Sequence, residues 1–180
     1  MFTHMKDSTA EDWVAINAAH KEHFYKTPGH LMDMLRSLEN ITGGFGCDQL
    51  QHALMTGTLA RRDNASEEEV VIALLHDIGK AVNIPNHGPI GAELIRPYVS
   101  DDSYRAIYAH QHFQGKYYYE FNGANPNMRD DFVNESWHAL AVKLVDRWDA
   151  PAFDPDYEVD SLESFEPLLQ KFFSQPGQAL

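Results

Sequence analysis

The sequence is poor in cysteine, with Cys47 alone among its 180 residues. A single cysteine excludes an internal disulfide, which is typical of proteins in a reducing compartment. The first residues, MFTHMKDSTAEDW, lack the basic and then apolar pattern of a signal peptide, and no apolar run approaches the length of a membrane span. We therefore expect a cytoplasmic protein that has no membrane partner.

Basic residues are also few, because 14 lysines and arginines stand against 27 aspartates and glutamates, and the formal net charge is −13. Nucleic-acid binding depends mainly on lysine and arginine contacts with phosphates. The composition therefore argues against a nucleic-acid partner. It leaves room for a small anionic substrate in a locally basic pocket.

Alternating strand patterns are lacking as well, and helical signals dominate. Ser66 with Glu69 predicts a capping box before the run VVIALLHDIGK, and Asp48 is placed to cap a helix that extends to about Arg62. The strongest apolar stripe with helical spacing comprises Trp137, Leu140, Ala141, Leu144, Val145 and Trp148. These patterns predict an all-α fold.

Histidines and aspartates occur at positions where polar side chains need partners. His76-Asp77 closes the apolar run VVIALL, so this pair lies at the edge of a core, where either a metal or a hydrogen-bonded helix end would satisfy it. Imidazole is the commonest transition-metal ligand, and carboxylates bridge metals well. The further candidates in chain order are His52, His87, the pair His110 and His112, and the pair Asp146 and Asp149.

This ordered set, H…HD…H…H…D, resembles the HD-domain superfamily, which is named for the pair found here at His76-Asp77. The superfamily contains metal-dependent phosphohydrolases and a smaller group of dinuclear iron oxygenases. The segments QLQHAL, HGPIGAELI, HFQGKYY and RWD are most similar to the phosphonate-cleaving oxygenases, which are relatives of myo-inositol oxygenase. The resemblance runs from about Gln49 to Asp149, and it implies a helical bundle with a dinuclear metal site in its core.

The resemblance also implies which residues hold the metals, with Asp77 bridging them and taking part in catalysis. His110 and His112 point to nearly opposite sides of a continuous helix, so only one should reach the site, and the spacing to the following lysine favours His112. Asp149 is preferred to Asp146. The implied ligands are His52, His76, Asp77, His87, His112 and Asp149, with His110 and Asp146 as substitutes.

Cations near these ligands are candidates for binding an anionic group of a substrate. Lys80, Lys116 and Arg147 are close in sequence to the proposed ligands, and Lys80 is also assigned a catalytic role. The stretch GGFG, in particular Gly44 and Phe45, is expected either to form a mobile lid or simply to end a helix.

The resemblance implies two iron ions in a mixed-valent Fe(II)/Fe(III) state. The expected function is an oxygenase that uses dioxygen to oxidise or cleave a small hydroxylated, anionic, phosphonate-like metabolite. The alternative is a phosphohydrolase with manganese, magnesium or zinc that acts on a small phosphate ester or nucleotide. We expect a single HD-type domain over residues 1–180, with N-terminal helices and the lid in 1–47, the metal-binding core in 48–150 and a C-terminal helix in 151–180.

Overall fold

The computed structural model describes residues 1–174, and over these residues it contains helices and no strands. The predicted all-α class is confirmed. The predicted C-terminal segment is a helix followed by residues 175–180, which lie outside the described residues. The α-helices are α1 (Ala10–Phe24), α2 (Thr27–Arg36), α3 (Gln49–Arg62), α4 (Glu67–Leu75), α5 (His87–Ile95), α6 (Asp101–Gln114), α7 (His138–Lys143) and α8 (Leu162–Phe173).

Side-chain caps fix the starts of the helices that carry the histidines. Asp48 accepts a hydrogen bond from the backbone N–H of Gln51 at 2.8 Å and so begins α3. Ser66 and Glu69 form the predicted reciprocal capping box at the start of α4. Each such cap satisfies backbone donors that the helix itself leaves free, and contributes about 1 kcal/mol.

The apolar core lies between α3, α4 and α8, and the run VVIALL of α4 is wholly buried in it. Complete burial of a leucine or isoleucine contributes roughly 1.5–3 kcal/mol, so α4 is a firm support for the His76-Asp77 pair that follows it. A smaller apolar cluster joins α6 to α7 through Phe113 and Trp137. Helix α1, by contrast, buries none of its side chains.

A π-helix, Leu144–Asp149, follows α7 without a break. Its wider turn is marked by the hydrogen bond that Ala150 N–H donates to the Val145 carbonyl, five residues earlier, at 2.8 Å. Short 3-10 helices connect the other elements: Met5–Asp7, Ile78–Ala81, Ile84–Asn86, Arg96–Tyr98, Gly115–Tyr117, Tyr119–Asn122 and Met128–Phe132. Of the helices in the described part of the chain, none has both the length and the apolar character needed to cross a membrane.

Candidate metal centre

Six histidine and aspartate side chains from separate elements meet inside the helical bundle. They come from α3, the two residues that follow α4, the start of α5, the middle of α6 and the end of the π-helix. All are buried, and the most exposed is His87 at 6%. The cluster consists of His52, His76, Asp77, His87, His110 and Asp149.

Asp77 divides this cluster into two half-sites. Its Oδ2 lies 3.4 Å from the Nε2 atoms of both His52 and His76, and Asp149 Oδ1 lies 3.3 Å and 3.6 Å from the same two nitrogens. Asp77 Oδ1 instead faces His87 Nε2 at 2.9 Å and His110 Nε2 at 3.3 Å. The two oxygens of one carboxylate therefore face different pairs of imidazoles, as a bridging ligand requires.

Backbone carbonyls orient all four imidazoles. Each Nδ1 lies close enough to a carbonyl oxygen to donate its proton there, which leaves the Nε2 lone pair pointing into the cluster. The Nδ1 atoms of His52, His76, His87 and His110 lie 2.8, 2.9, 2.7 and 2.6 Å from the carbonyl oxygens of Ala152, Ala73, Ile84 and Ile107.

The chemistry of this donor set fits metal ions. With Nδ1 protonated, the Nε2–Nε2 distances, 3.2 Å for His52–His76 and 3.1 Å for His87–His110, are short enough that each pair of nitrogens needs a proton or a metal cation between them. Asp77 Oδ1 is also buried without a properly oriented hydrogen bond. Cations between these atoms would satisfy all of them, and the buried histidines and aspartates could hold a dinuclear metal site.

Charge inside the cluster also favours cations. Burial alone would lower the pKa of His76, but the carboxylates of Asp77 and Asp149 outweigh burial and raise that pKa to about 10. For Asp149, burial acts in the opposite direction, and the charge of His76 together with His52 holds its pKa well below the usual range. The carboxylates thus attract positive charge, which a bound metal would provide in place of the proton.

The structure corrects the choice between the paired histidines. His110, and not His112, reaches the cluster, because the buried face of α6 carries Ala106, Ile107, His110 and Phe113 at helical spacing. The ring of His112 packs beside Phe132, at a centroid distance of 5.9 Å. The sequence-based preference for His112, which followed the spacing to Lys116, is therefore replaced by His110.

Two of the predicted substrate-binding cations lie elsewhere. Lys116 pairs with Asp146 at 2.8 Å, and Asp146 also accepts hydrogen bonds from Tyr117 and Arg129, each at 3.1 Å. Arg147 pairs with Asp63 at 2.5 Å, and its side chain is largely exposed. Asp146 is thus saturated outside the cluster and is not a substitute ligand.

Lys80 lies where the sequence predicted it, beside the cluster. Its Nζ is 2.5 Å from Asp77 Oδ2 and 2.6 Å from Gln49 Oε1. It also lines a cavity of about 650 Å³, whose wall includes His87 of the cluster. The whole lining comprises Phe45, Lys80, Ile84, Pro85, His87, Gln111, Gln114, Tyr117, Tyr118, Ala150 and Phe153.

Phe45, from the predicted lid, forms part of this wall. Its ring stacks on Phe153 at a centroid distance of 4.8 Å, and Phe153 stacks on His52 at 4.4 Å. Gly43 and Gly44 just before it have φ values of 57° and 92°, which side-chain-bearing residues rarely adopt. The GGFG stretch therefore turns sharply and brings an aromatic ring over the site, while Gly44 itself does not line the cavity.

Sequence reasoning missed three residues that support the site. Gln114 donates through Nε2 to both oxygens of Asp149, at 3.0 and 3.1 Å. Gln49, only 2% exposed, holds Lys80, and Phe153 covers His52. Gln114 follows His110 by four residues and so shares its helix face, which would have identified it once His110 was chosen.

The family comparison covers the same region. A family model described as "HD domain" matches residues 49–152, which is more than half of the chain and contains all six cluster residues. Among curated proteins, none matches. Members of the matched family are typically metal-dependent enzymes.

Proposed function

Since this chain belongs to the HD-domain family, we propose that it is a dinuclear iron oxygenase that oxidises or cleaves a small hydroxylated metabolite. The observation that supports this reaction best is the ligand set of each half-site. His52 and His76 lie with Asp149 and one oxygen of Asp77, and His87 and His110 lie with the other oxygen of Asp77, so each half-site includes two histidines and at least one carboxylate. Two histidines and one carboxylate are the donor set of non-haem Fe(II) oxygenases.

The balance of donors supports iron rather than magnesium. Magnesium and calcium prefer oxygen ligands, whereas imidazole suits iron and zinc. Four imidazoles and two carboxylates cannot saturate two metals that each take five or six ligands, so positions stay open for substrate and dioxygen. When bound, a mixed-valent iron pair would supply electrons to dioxygen and a Lewis acid that lowers the pKa of a substrate hydroxyl.

Lys80 and Tyr118 are the residues that would orient the substrate. Asp77 and Gln49 hold the ammonium group of Lys80 at the cavity wall, where its charge can stabilise a negatively charged substrate oxygen. Burial raises the pKa of Tyr118 to about 12, so this hydroxyl stays protonated and can donate a hydrogen bond. Phe45 and Phe153 would exclude water from the His52 side of the site.

Metal analysis of anaerobically purified protein, followed by electron paramagnetic resonance after partial oxidation, tests this function. We expect about two irons per chain and a coupled mixed-valent signal. Oxygen uptake with candidate hydroxylated substrates, together with a slower rate when the carbinol hydrogen is replaced by deuterium, would identify the reaction. Two zinc or manganese ions without iron, and no oxygen uptake, would refute the oxygenase.

A metal-dependent phosphohydrolase is the second candidate, because Lys80 gives the cavity a cation beside the metal ligands. Here a metal-activated water would attack phosphorus, and Lys80 would stabilise the charge of the phosphoryl group. Phosphate release from a small phosphate ester or nucleotide under anaerobic conditions, with manganese added, would favour this reaction over the first.

A further inference from the structure

The cavity beside the metal centre is walled mainly by hydrocarbon and aromatic groups. Five of its lining residues carry no polar side-chain atom, and two tyrosines add ring faces. At about 650 Å³ it has the size of a small-molecule site. The apolar and aromatic lining residues are Phe45, Ile84, Pro85, Tyr117, Tyr118, Ala150 and Phe153.

Several of the polar groups in this wall already have partners within the protein. Lys80 pairs with Asp77, Gln114 donates to Asp149, and Tyr117 donates its hydroxyl to Asp146 at 3.1 Å. A ligand with many hydroxyl or phosphate groups would bury polar atoms in this cavity. Few groups of the wall remain to form hydrogen bonds with them. Such burial weakens binding, because each polar atom without a partner in the cavity loses its hydrogen bonds to water.

Three of the polar lining residues, Lys80, His87 and Gln114, contact carboxylates of the metal cluster and so mark one end of the cavity. Lys80 and His87 belong to the metal side of the cavity, because Lys80 contacts Asp77 Oδ2 and His87 faces Asp77 Oδ1. Lys116 and Arg147 pair with Asp146 and Asp63 and are not in the wall. The cavity thus combines a polar end at the metals with an apolar body.

We propose that the cavity selects an amphiphilic substrate, with one hydroxyl-bearing, singly charged head at the metal centre and a hydrocarbon or aromatic body along the wall. A 2-hydroxy acid with an alkyl tail is the simplest member of this class, and polyols and polyphosphates are excluded from it. This inference rests on the proposed function only in placing the head at the metals. The apolar wall acts in the same way on the tail of a monophosphate ester.

Isothermal titration calorimetry of the protein, loaded with the metal that it takes up, with 2-hydroxybutanoate, 2-hydroxyhexanoate and 2-hydroxyoctanoate measures the contribution of the wall directly. Anaerobic conditions prevent turnover, so binding alone is observed. We expect the affinity to rise about fourfold with each added methylene, which is the value of about 0.8 kcal/mol per buried methylene expressed as a ratio. Gluconate, a six-carbon polyhydroxylated acid, should bind more weakly than 2-hydroxyhexanoate.

Matched phenylalanine variants assign this effect to the cavity. Phe45→Ala should weaken the dependence of affinity on the length of the ligand's alkyl tail, since Phe45 lines the cavity. Phe121→Ala should leave that dependence unchanged, since Phe121 is 84% exposed and outside the lining. Ile84→Ser changes a second residue of the wall and should have the same effect as Phe45→Ala. Agreement between the two variants would show that the effect does not come from a folding defect in one of them.

The outcomes separate this inference from the proposed function. Affinities that do not change with tail length, tighter binding of gluconate, or no binding of the longest acid overturn the amphiphilic substrate, even if two irons and oxygen uptake are found. A steep dependence on tail length in a protein that takes up zinc and no iron supports the amphiphilic substrate and refutes the oxygenase.

Discussion

At the scale of single residues, hydrogen bonds from imidazole Nδ1 atoms determine the chemistry of the cluster. Because each Nδ1 lies within 2.6–2.9 Å of a backbone carbonyl, the four Nε2 atoms face inward, where each can hold either a proton or a metal ion. Imidazole nitrogens that face one another in a buried space repel unless a proton or a metal cation lies between them. The geometry of the protein chain thus prepares the site for metals before any metal binds.

Asp77→Ala should lose both metals, because the oxygens of Asp77 face different half-sites. Asp149→Ala should lose mainly one metal, since Asp149 faces only His52 and His76. Asp146→Ala, a control from the same π-helix, should keep both. Metal content per chain, measured by mass spectrometry, checks all three, and two metals retained by Asp77→Ala would contradict a bridging role.

His110→Ala should lower metal content to about one ion per chain, because it removes one of two imidazoles from its half-site. His112→Ala should retain two ions, since His112 contacts Phe132 and lies outside the cluster. The two variants change the same residue type on the same helix, so each controls for the other. A greater loss in His112→Ala would restore the sequence-based assignment.

At the scale of elements, the π-helix separates two aspartates that an α-helix would keep on one face. In the α-helix expected from the apolar stripe, Asp146 and Asp149 would both lie near the metals. The wider turn instead directs Asp149 into the cluster, while Asp146 binds Lys116, Tyr117 and Arg129. Asp146 thereby secures the segment that carries part of the cavity wall.

Helix α6, which carries His110, depends on a carboxylate of α4. Glu68 Oε1 accepts hydrogen bonds from the backbone N–H of Ser100 at 2.9 Å and from the hydroxyls of Ser100 and Ser103 at 2.6 and 2.5 Å. Burial tends to raise the pKa of Glu68, but these hydrogen bonds outweigh it and hold the pKa below the usual glutamate range. The ionised form therefore stabilises the fold.

Glu68→Ala should lower the free energy of unfolding at pH 7 by about 1–3 kcal/mol. Because the folded pKa is depressed, this stabilisation is present above the pKa of the unfolded chain, and is lost as the pH falls through the folded pKa. Denaturant unfolding of parent and variant should therefore converge in acid. Glu67→Ala, which removes only a surface pair with Lys171, should cost less than about 1 kcal/mol, and an equal loss would contradict the role of Glu68.

At the scale of the whole molecule, the metal centre would cross-link elements that are distant in sequence. The first half-site joins α3, His76 after α4, and the π-helix. The second joins Asp77 to the start of α5 and the middle of α6. Ligand atoms gathered from so many elements come together only in the folded chain. Metal binding and folding should therefore be coupled.

Removal of metal by a chelator should lower the melting temperature. At a free metal concentration a thousandfold above its dissociation constant, one site adds about 4 kcal/mol, which corresponds to a shift on the order of 10 °C for a chain of this size. Differential scanning calorimetry with and without chelator measures the shift. Asp77→Ala should show little shift, and an unchanged melting temperature in the parent protein would contradict coupling.

Most of what could be predicted of the fold and the site came from short sequence patterns, namely helix caps and the order of histidines and aspartates. The caps at Asp48 and Ser66 act within three residues, so they could be recognised from sequence and were confirmed. The set of histidines and aspartates was recognisable because ligand types recur in a fixed order. His110 was ranked behind His112 because the spacing to Lys116 was given more weight than the apolar periodicity of α6, although burial of a helix face depends on that periodicity.

The sequence by itself determined the helical class and the starts of α3 and α4, because these follow from interactions between residues close along the chain, and it gave the histidines and aspartates from which the cluster is drawn. Only the tertiary structure decided which member of each pair, His110 or His112 and Asp146 or Asp149, faces the cluster. It also decided that Lys116 and Arg147 bind acids of the protein and do not line the cavity. The choice of the residue that faces the cluster and the pairing of these cations depend on helix packing and on one turn of π-helix. Both arise from contacts between residues far apart in sequence.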